Sequence, residues 1–294
     1  MIPISFALLA AALYAINIPL SKILLTYVAP ISLASLLYLG AGLGMLVLSA
    51  LSPKRSGEPR LTRRELPYTI GMILLDILAP IALMQGLETA NSANASLMNN
   101  FEIVATSVIA LSFFKETVSR RMWVAIALIT FSSALLSFEG SESLKFSPGS
   151  IWILFACLCW GFENNCTKMM ASKSTKQIVI LKGIFSGIGS LIVAILARES
   201  FPEVKYILAT LALGFVSYGL SIFFYVKAQG RLGAAKTSSC YAIAPFIGAL
   251  FSFVMLHERL SRFYACALII MVAGTAFIVR DSLSAAGEKG ITGK

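Results

Sequence analysis

Long apolar runs and short polar gaps follow one another along almost the whole chain. Ten runs stand out, at about residues 3–27, 31–51, 68–87, 92–114, 121–138, 149–169, 177–197, 204–227, 234–256 and 262–280, each near the ~20 residues that a helix needs to cross hydrocarbon. Their apolar residues are continuous, not alternating, so the pattern predicts helices and not a β-barrel. In lipid a helix satisfies its own backbone, which an open strand cannot do. The pattern therefore predicts an all-α membrane protein with ten transmembrane helices. The first run is long enough to span and has no basic stretch before it, so it is read as a span and not as a cleaved signal. Residues 282–294 are polar and are expected to form a flexible cytoplasmic tail.

Composition strengthens this picture. Of the 294 residues, 57% are hydrophobic and 13% charged, against about 25% charged in soluble domains. The net charge of +10 would suit a nucleic-acid binder, but the basic residues sit mostly in gaps between the runs. With the amino terminus in the cytoplasm, 18 of the 24 Lys and Arg fall on the inner side, including Arg60, Arg63, Arg64, Lys173 and Arg231. Lys22, Lys145, Arg198, Lys205, Arg259 and Arg262 fall outside. That bias predicts ten spans with both termini cytoplasmic. The five cysteines (Cys157, Cys159, Cys166, Cys240 and Cys266) lie inside apolar runs and match no zinc or disulfide pattern. One histidine, His257, cannot make a metal cluster alone, so neither a metal nor a cofactor is expected.

The chain also resembles itself. Residues 109–137 align with 251–279, pairing Glu116 with Glu258, Ser119 with Ser261 and Arg120 with Arg262. Residues 14–22 (YAINIPLSK) align with 160–168 (WGFENNCTK), pairing Tyr14 with Trp160, Asn17 with Glu163, Ser21 with Thr167 and Lys22 with Lys168. The units are residues 1–140 and 147–281. Each holds five spans, an odd number, so the second unit enters the membrane from the opposite side, as in the inverted repeats of secondary transporters.

With these motifs the sequence resembles the drug/metabolite transporter superfamily, specifically its ten-helix EamA-type members, over nearly all of residues 3–280. Trp160-Gly161 matches the aromatic-glycine pair of the first helix in a half, and Tyr14-Ala15 is a weaker form. Glu116 and Glu258 match a glutamate after the fourth helix of each half. Pro245 matches a proline inside that helix, but Ile103 stands at the equivalent place in the first half. The resemblance implies a ten-helix basket in which spans 1, 3, 4, 6, 8 and 9 line a central cavity. Spans 5 and 10 would lie at the periphery, a surface used for dimers in the superfamily, so monomer and homodimer both stay open. It also implies export as the commoner direction.

Charge inside a membrane costs about 2.5–3.5 kcal/mol on insertion scales and marks candidate sites. Span 6 carries Trp160, Glu163, Asn164 and Thr167 on one stripe. Glu163 could bind a substrate amine or carry a proton, or it could pair with Lys22 or Lys168 and lock the halves. Span 1 carries Tyr14, Asn17 and Ser21, with Pro19 expected to kink it. Asp76 stands in the middle of span 3, one turn before Pro80. Span 4 carries Ser92, Asn99, Glu102 and Thr106, with Asn100 beside them; interhelical hydrogen bonding is the competing role. Tyr218 holds the repeat position of Asp76, and Tyr241 lies one turn before Pro245; both could stack on a ligand. Lys22 and Lys182 are expected to snorkel to the membrane surfaces. Gly40 and Gly44, like Gly183 and Gly187, form G-x-x-x-G pairs that let helices approach closely.

No phosphate-binding loop, zinc-hydrolase motif or nucleophile elbow is present, so ATP-driven pumping and enzymatic catalysis are not expected. The reading is a secondary transporter in the cytoplasmic membrane, moving a small polar metabolite such as an amino acid or amine by alternating access, with proton coupling through a buried carboxylate. The competing class, a membrane enzyme or flippase for lipid-linked substrates, would need clustered carboxylates near an interface. Asp76, Glu102 and Glu163 are expected to be spread over three helices near mid-depth.

Overall fold

A computed structural model of the protein describes residues 2–51, 59–114, 119–136, 147–170, 173–232, 241–257 and 263–291. All regular structure among the described residues is helical. In chain order the helices are α1 (Ile2–Ala15), α2 (Asn17–Leu24), α3 (Pro30–Leu51), α4 (Leu66–Thr89), α5 (Ser92–Met98), α6 (Phe101–Phe114) and α7 (Arg120–Leu136). There follow α8 (Pro148–Met169), α9 (Thr175–Leu196), α10 (Val204–Gly214), α11 (Ser221–Leu232), α12 (Ala244–Leu256) and α13 (Tyr264–Ile291). The motif residues Glu116 and Glu258 lie outside the described residues.

Among the described residues, six helical stretches are long and apolar enough to cross a membrane: Ile4–Leu24, Pro30–Leu51, Arg63–Thr89, Ser92–Phe113, Thr175–Leu196 and Val204–Tyr225. Shorter apolar helices occupy Trp123–Leu136, Ala244–Leu256 and Tyr264–Phe277. α8 has 22 residues but carries Glu163, Asn164, Asn165 and Lys168 in its second half, which lowers its hydropathy. Large apolar side chains such as Leu43, Val47, Leu74, Phe185, Ile192, Leu208 and Leu250 point outward. Asp76, Glu163, Asn17 and Asn100 are buried instead. This inside-out distribution is that of an α-helical membrane protein.

The helices pack in recurring pairs: α3 on α9, α4 on α8, α1 on α11, α5 on α12 and α7 on α13. Small residues set these contacts. A Cβ on Gly42 would lie 2.6 Å from the backbone nitrogen of Ile184, so α3 and α9 touch backbone to backbone there. Gly183 sits on the same contact and Gly187 faces Leu39, whereas Gly40 meets the backbone of α10 at Leu211 and Gly44 meets the ring of Phe215. Only half of the G-x-x-x-G expectation therefore concerns the α3–α9 pair; the α3 glycines serve two neighbours. Serines fasten the pairs further: Ser35 Oγ donates to Gly187 O at 2.8 Å, and Ser132 Oγ to Ala267 O at 2.7 Å.

Several runs read as continuous helices are interrupted. The first breaks at Ile16, between α1 and α2. Pro19 has no N–H for the carbonyl of Ala15, so the ladder opens one turn before the proline. The fourth breaks at Asn99-Asn100, between α5 and α6. Asparagine side chains compete with the backbone for its hydrogen bonds, which disfavours a continuous helix there. The ninth has a turn at Ala242-Ile243 just before Pro245. The eighth carries a π-helical segment, Phe215–Leu220, between α10 and α11. The last helix extends to Ile291, beyond the 262–280 expected of span 10.

Candidate functional site

The interrupted helices converge. A narrow cleft is lined by Tyr14, Ala15, Ser96, Asn99, Pro245 and Gly248, which come from the breaks in the first, fourth and ninth runs. Asn99 and Asn100 are both buried, and the Asn100 amide has no hydrogen-bond partner among the described residues. Tyr14 stands at the centre of an aromatic wall. Its ring centroid is 5.9 Å from that of Tyr218 and 5.8 Å from that of Tyr241. Tyr38 continues the wall, 5.1 Å from Tyr218.

The charged part of the site is built across α3, α4, α8 and α9. Asp76 is fully buried on α4, and Glu163 is 2% exposed on α8. Lys182 of α9 lies between them, its Nζ 3.1 Å from Asp76 Oδ2 and 3.0 Å from Glu163 Oε1. The Tyr38 hydroxyl donates to Asp76 Oδ1 at 2.9 Å, and Trp160 Nε1 donates to that hydroxyl at 3.4 Å. The Thr167 hydroxyl donates to Glu163 Oε1. Buried carboxylates require such partners, because an unpaired charge in a low-dielectric interior is costly.

Two further polar contacts flank this centre. Asn164 Nδ2 donates to Glu102 Oε1 at 2.7 Å and contacts Thr106 Oγ1 at 3.3 Å, joining α6 to α8. Asn17 Nδ2 donates to the Tyr218 hydroxyl at 3.1 Å, and Ser21 Oγ donates to Asn17 Oδ1 at 3.2 Å. The Tyr241 and Ser221 hydroxyls lie 3.3 Å apart.

Ten of the residues singled out from sequence fall into three polar regions. Tyr14 and Asn99 line the cleft, and Asn17, Tyr218 and Tyr241 border it. Asp76, Glu163 and Trp160 form the charged centre; Glu102 and Asn164 form a side pair. One expectation needs refining and another correction. Asp76, Glu102 and Glu163 do lie on three helices, α4, α6 and α8, but Asp76 and Glu163 meet around one ammonium. Lys182 does not snorkel: it lies seven residues into α9, about 10 Å at 1.5 Å per residue, and two carboxylates there hold it. Lys22 also takes a different role from either expected one. Its ammonium donates to the carbonyls of Leu87 at 2.6 Å, Glu88 at 3.2 Å and Ala90 at 2.9 Å, capping the end of α4.

Sequence reasoning missed Lys182 and Tyr38 as members of the centre. The signal for Lys182 was charge balance: two buried carboxylates call for a buried cation, and Lys182 and Lys22 are the basic residues deepest in the runs. Tyr38 carried no comparable signal, because a tyrosine in an apolar run reads as packing.

A helical bundle with an apolar exterior and a buried polar seam of this kind belongs to a multi-pass membrane transporter. The chain belongs to the EamA-like transporter family, whose sequence pattern matches residues 1–138 and 147–280. An uncharacterized transporter of Methanothermobacter thermautotrophicus is 24% identical over 284 residues, covering 90% of this chain and 82% of that protein. The uncharacterized transporter YvbV of Bacillus subtilis is 24% identical over 277 residues, covering 90% and 88%. Among solved structures, one crystal structure superposes with a TM-score of 0.70 at 18% identity, covering 95% of this chain and 97% of that one, which is a likeness of fold.

Proposed function

We propose that this transporter is a secondary carrier that moves a small amine-bearing metabolite, such as an amino acid, out of the cell across the cytoplasmic membrane by alternating access, in exchange for protons. The single observation that carries this reading is the pairing of Asp76 with Glu163 around one ammonium in the interior of a membrane bundle. An amine or a proton is the natural ligand of such carboxylates. The tyrosine wall favours a cation in the same place. Asn99 and the unpartnered Asn100 amide suit the carboxylate of a zwitterion. A phosphorylated substrate would call for a dense Lys/Arg site, and the seam contains Lys182 alone among the described basic residues.

Alternating access draws support from the internal repeat. The helix pairs map onto themselves when each span is exchanged for the one five places on: the first with the eighth becomes the sixth with the third. In this reading the two five-span units are inverted, both termini are cytoplasmic, and the breaks in the fourth and ninth spans are hinges. The test is uptake into proteoliposomes over a panel of amino acids and amines, with and without a pH gradient. Uptake of at least one amine-bearing compound, stimulated by the gradient, supports the reading. A panel in which only anions lacking an amine are carried overturns it.

A further inference from the structure

The charged centre has an uneven balance. Asp76 and Glu163 supply two carboxylates, and Lys182 answers them with one ammonium. Asp76 Oδ2 is held by this ammonium at 3.1 Å. The other oxygen is held by Tyr38. Glu163 Oε1 receives both Lys182 and Thr167. The centre thus presents two carboxylates on two different helices, α4 and α8, bridged by a side chain from a third, α9. A primary ammonium between two carboxylates is what a bound substrate amine would look like, except that this one is tethered to the protein.

We propose that Lys182 is a tethered stand-in for the substrate. In the empty carrier its ammonium fills the cation position between Asp76 and Glu163, and an arriving substrate ammonium displaces it. This rests on reading Asp76 and Glu163 as substrate-binding groups, and it narrows the substrate to one that brings a single positive charge to that position.

Three features support displacement. The lysine side chain is long and flexible, with a compact point charge, so it can leave without moving the backbone. The Cα–Cβ bonds of a helix tilt toward its N-terminus. The free rotamers of Lys182 therefore lead toward the Thr175 end of α9, where half-buried Ser174 and Thr175 approach water. The Lys182 side chain is already 14% exposed, against 0% for Asp76, so it is the less enclosed member of the pair. The arrangement also has a use. Without an internal cation, the empty carrier would hold two bare carboxylates in the membrane interior during its return. With Lys182 in place and one exchanged proton on the second carboxylate, the centre is neutral and can change conformation at small electrostatic cost, while the tether keeps affinity low enough for release. A binding-competent state that is a minor fraction of the population weakens apparent affinity by that fraction.

The test uses the full-length wild-type protein in detergent and benzyltrimethylammonium, a permanent monocation that does not react with aldehydes. Binding is measured by calorimetry for wild type, Asp76→Asn and Lys182→Met. Reductive methylation of each lysine is followed by peptide mass spectrometry, with the exposed Lys205 as the internal reference. The expected result is binding to wild type, loss of that binding in Asp76→Asn, and methylation of Lys182 accelerated at least about tenfold relative to Lys205 when the probe is bound. Lys182→Met, if it folds, is expected to bind the probe at least about tenfold more tightly. If the probe binds and depends on Asp76 but Lys182 stays equally protected, the cation joins the lysine without replacing it. The stand-in proposal is then overturned while the site reading survives. If the probe binds neither wild type nor Asp76→Asn, the site reading fails and takes this proposal with it.

Discussion

The Asn17 side-chain amide meets the Tyr218 hydroxyl at 3.1 Å, and the internal repeat aligns these residues with Glu163 and Asp76. The same helix–helix contact is thus made twice, once between neutral groups and once between carboxylates that need Lys182 between them. The next turn matches as well: Ser21 donates to Asn17, and its counterpart Thr167 donates to Glu163. Of these two contacts, each joining residues from both parts of the chain, one is neutral and the other carries the charge. This asymmetry is what a carrier with one cation position needs, since two charged copies would double the cost of burial.

The three charged groups should behave as one unit. Removing one partner of a buried ion pair typically costs about 3–5 kcal/mol because the other is stranded. Lys182→Gln should therefore lower stability more than the double variant Lys182→Gln/Glu163→Gln. A double-mutant cycle by denaturant unfolding in mild detergent measures this. A coupling below about 0.5 kcal/mol would mean that the groups do not depend on one another.

Tyr38→Phe removes the hydroxyl that holds Asp76 Oδ1 and leaves the ring packed against Tyr218. A hydrogen bond to a charged group contributes about 1.5–3 kcal/mol. The variant should fold, lose stability in that range and transport more slowly, as read by thermal unfolding and by initial uptake rates.

Gly183→Val should prevent close contact of α3 and α9, because any Cβ there meets the backbone of Gly42. Loss of a monodisperse peak in size-exclusion chromatography is the expected outcome. Gly71→Ala is the control: its Cβ would meet only the sulfur of Cys166, at 3.2 Å, and it should elute like the parent.

Lys22→Met removes the cap from the last carbonyls of α4. Loss of such a cap costs about 0.5–2 kcal/mol by analogy with other helix caps. A drop in thermal midpoint with uptake specificity unchanged is expected; altered substrate preference would give Lys22 a role in the site.

The proposed ten-span topology with both termini cytoplasmic predicts that Arg60 and Glu203 lie on opposite membrane faces. Single cysteines placed there in a background lacking exposed native cysteines should label from opposite sides with an impermeant maleimide. Labelling of both from one side would contradict the ten-span alternation.

The outline of the bundle was legible in the sequence because lipid leaves few alternatives to helices, so each apolar run reads directly as a helix. The polar stripes on spans 1, 4 and 6 were legible for the same reason: Asn17, Glu102 and Glu163 are out of place in hydrocarbon unless they face inward. Partners were harder to read. Glu163 was expected to meet Lys22 or Lys168, and only the packing of α9 against α3 and α4 brings Lys182 to it instead. The breaks at Ile16 and Asn99-Asn100 and the π segment at Phe215–Leu220 are small backbone adjustments that hydropathy does not register. Pro19 signalled a disturbance but not that the helix opens one turn earlier.

The most direct measurement is uptake of the best amine-bearing substrate into proteoliposomes under a fixed pH gradient, comparing the parent with Asp76→Asn and Glu163→Gln reconstituted at equal density. If the buried carboxylates hold the substrate, both variants should lose at least about tenfold in initial rate, the effect of a single lost interaction of about 1.4 kcal/mol or more. Transport by both variants at the parental rate would contradict the account.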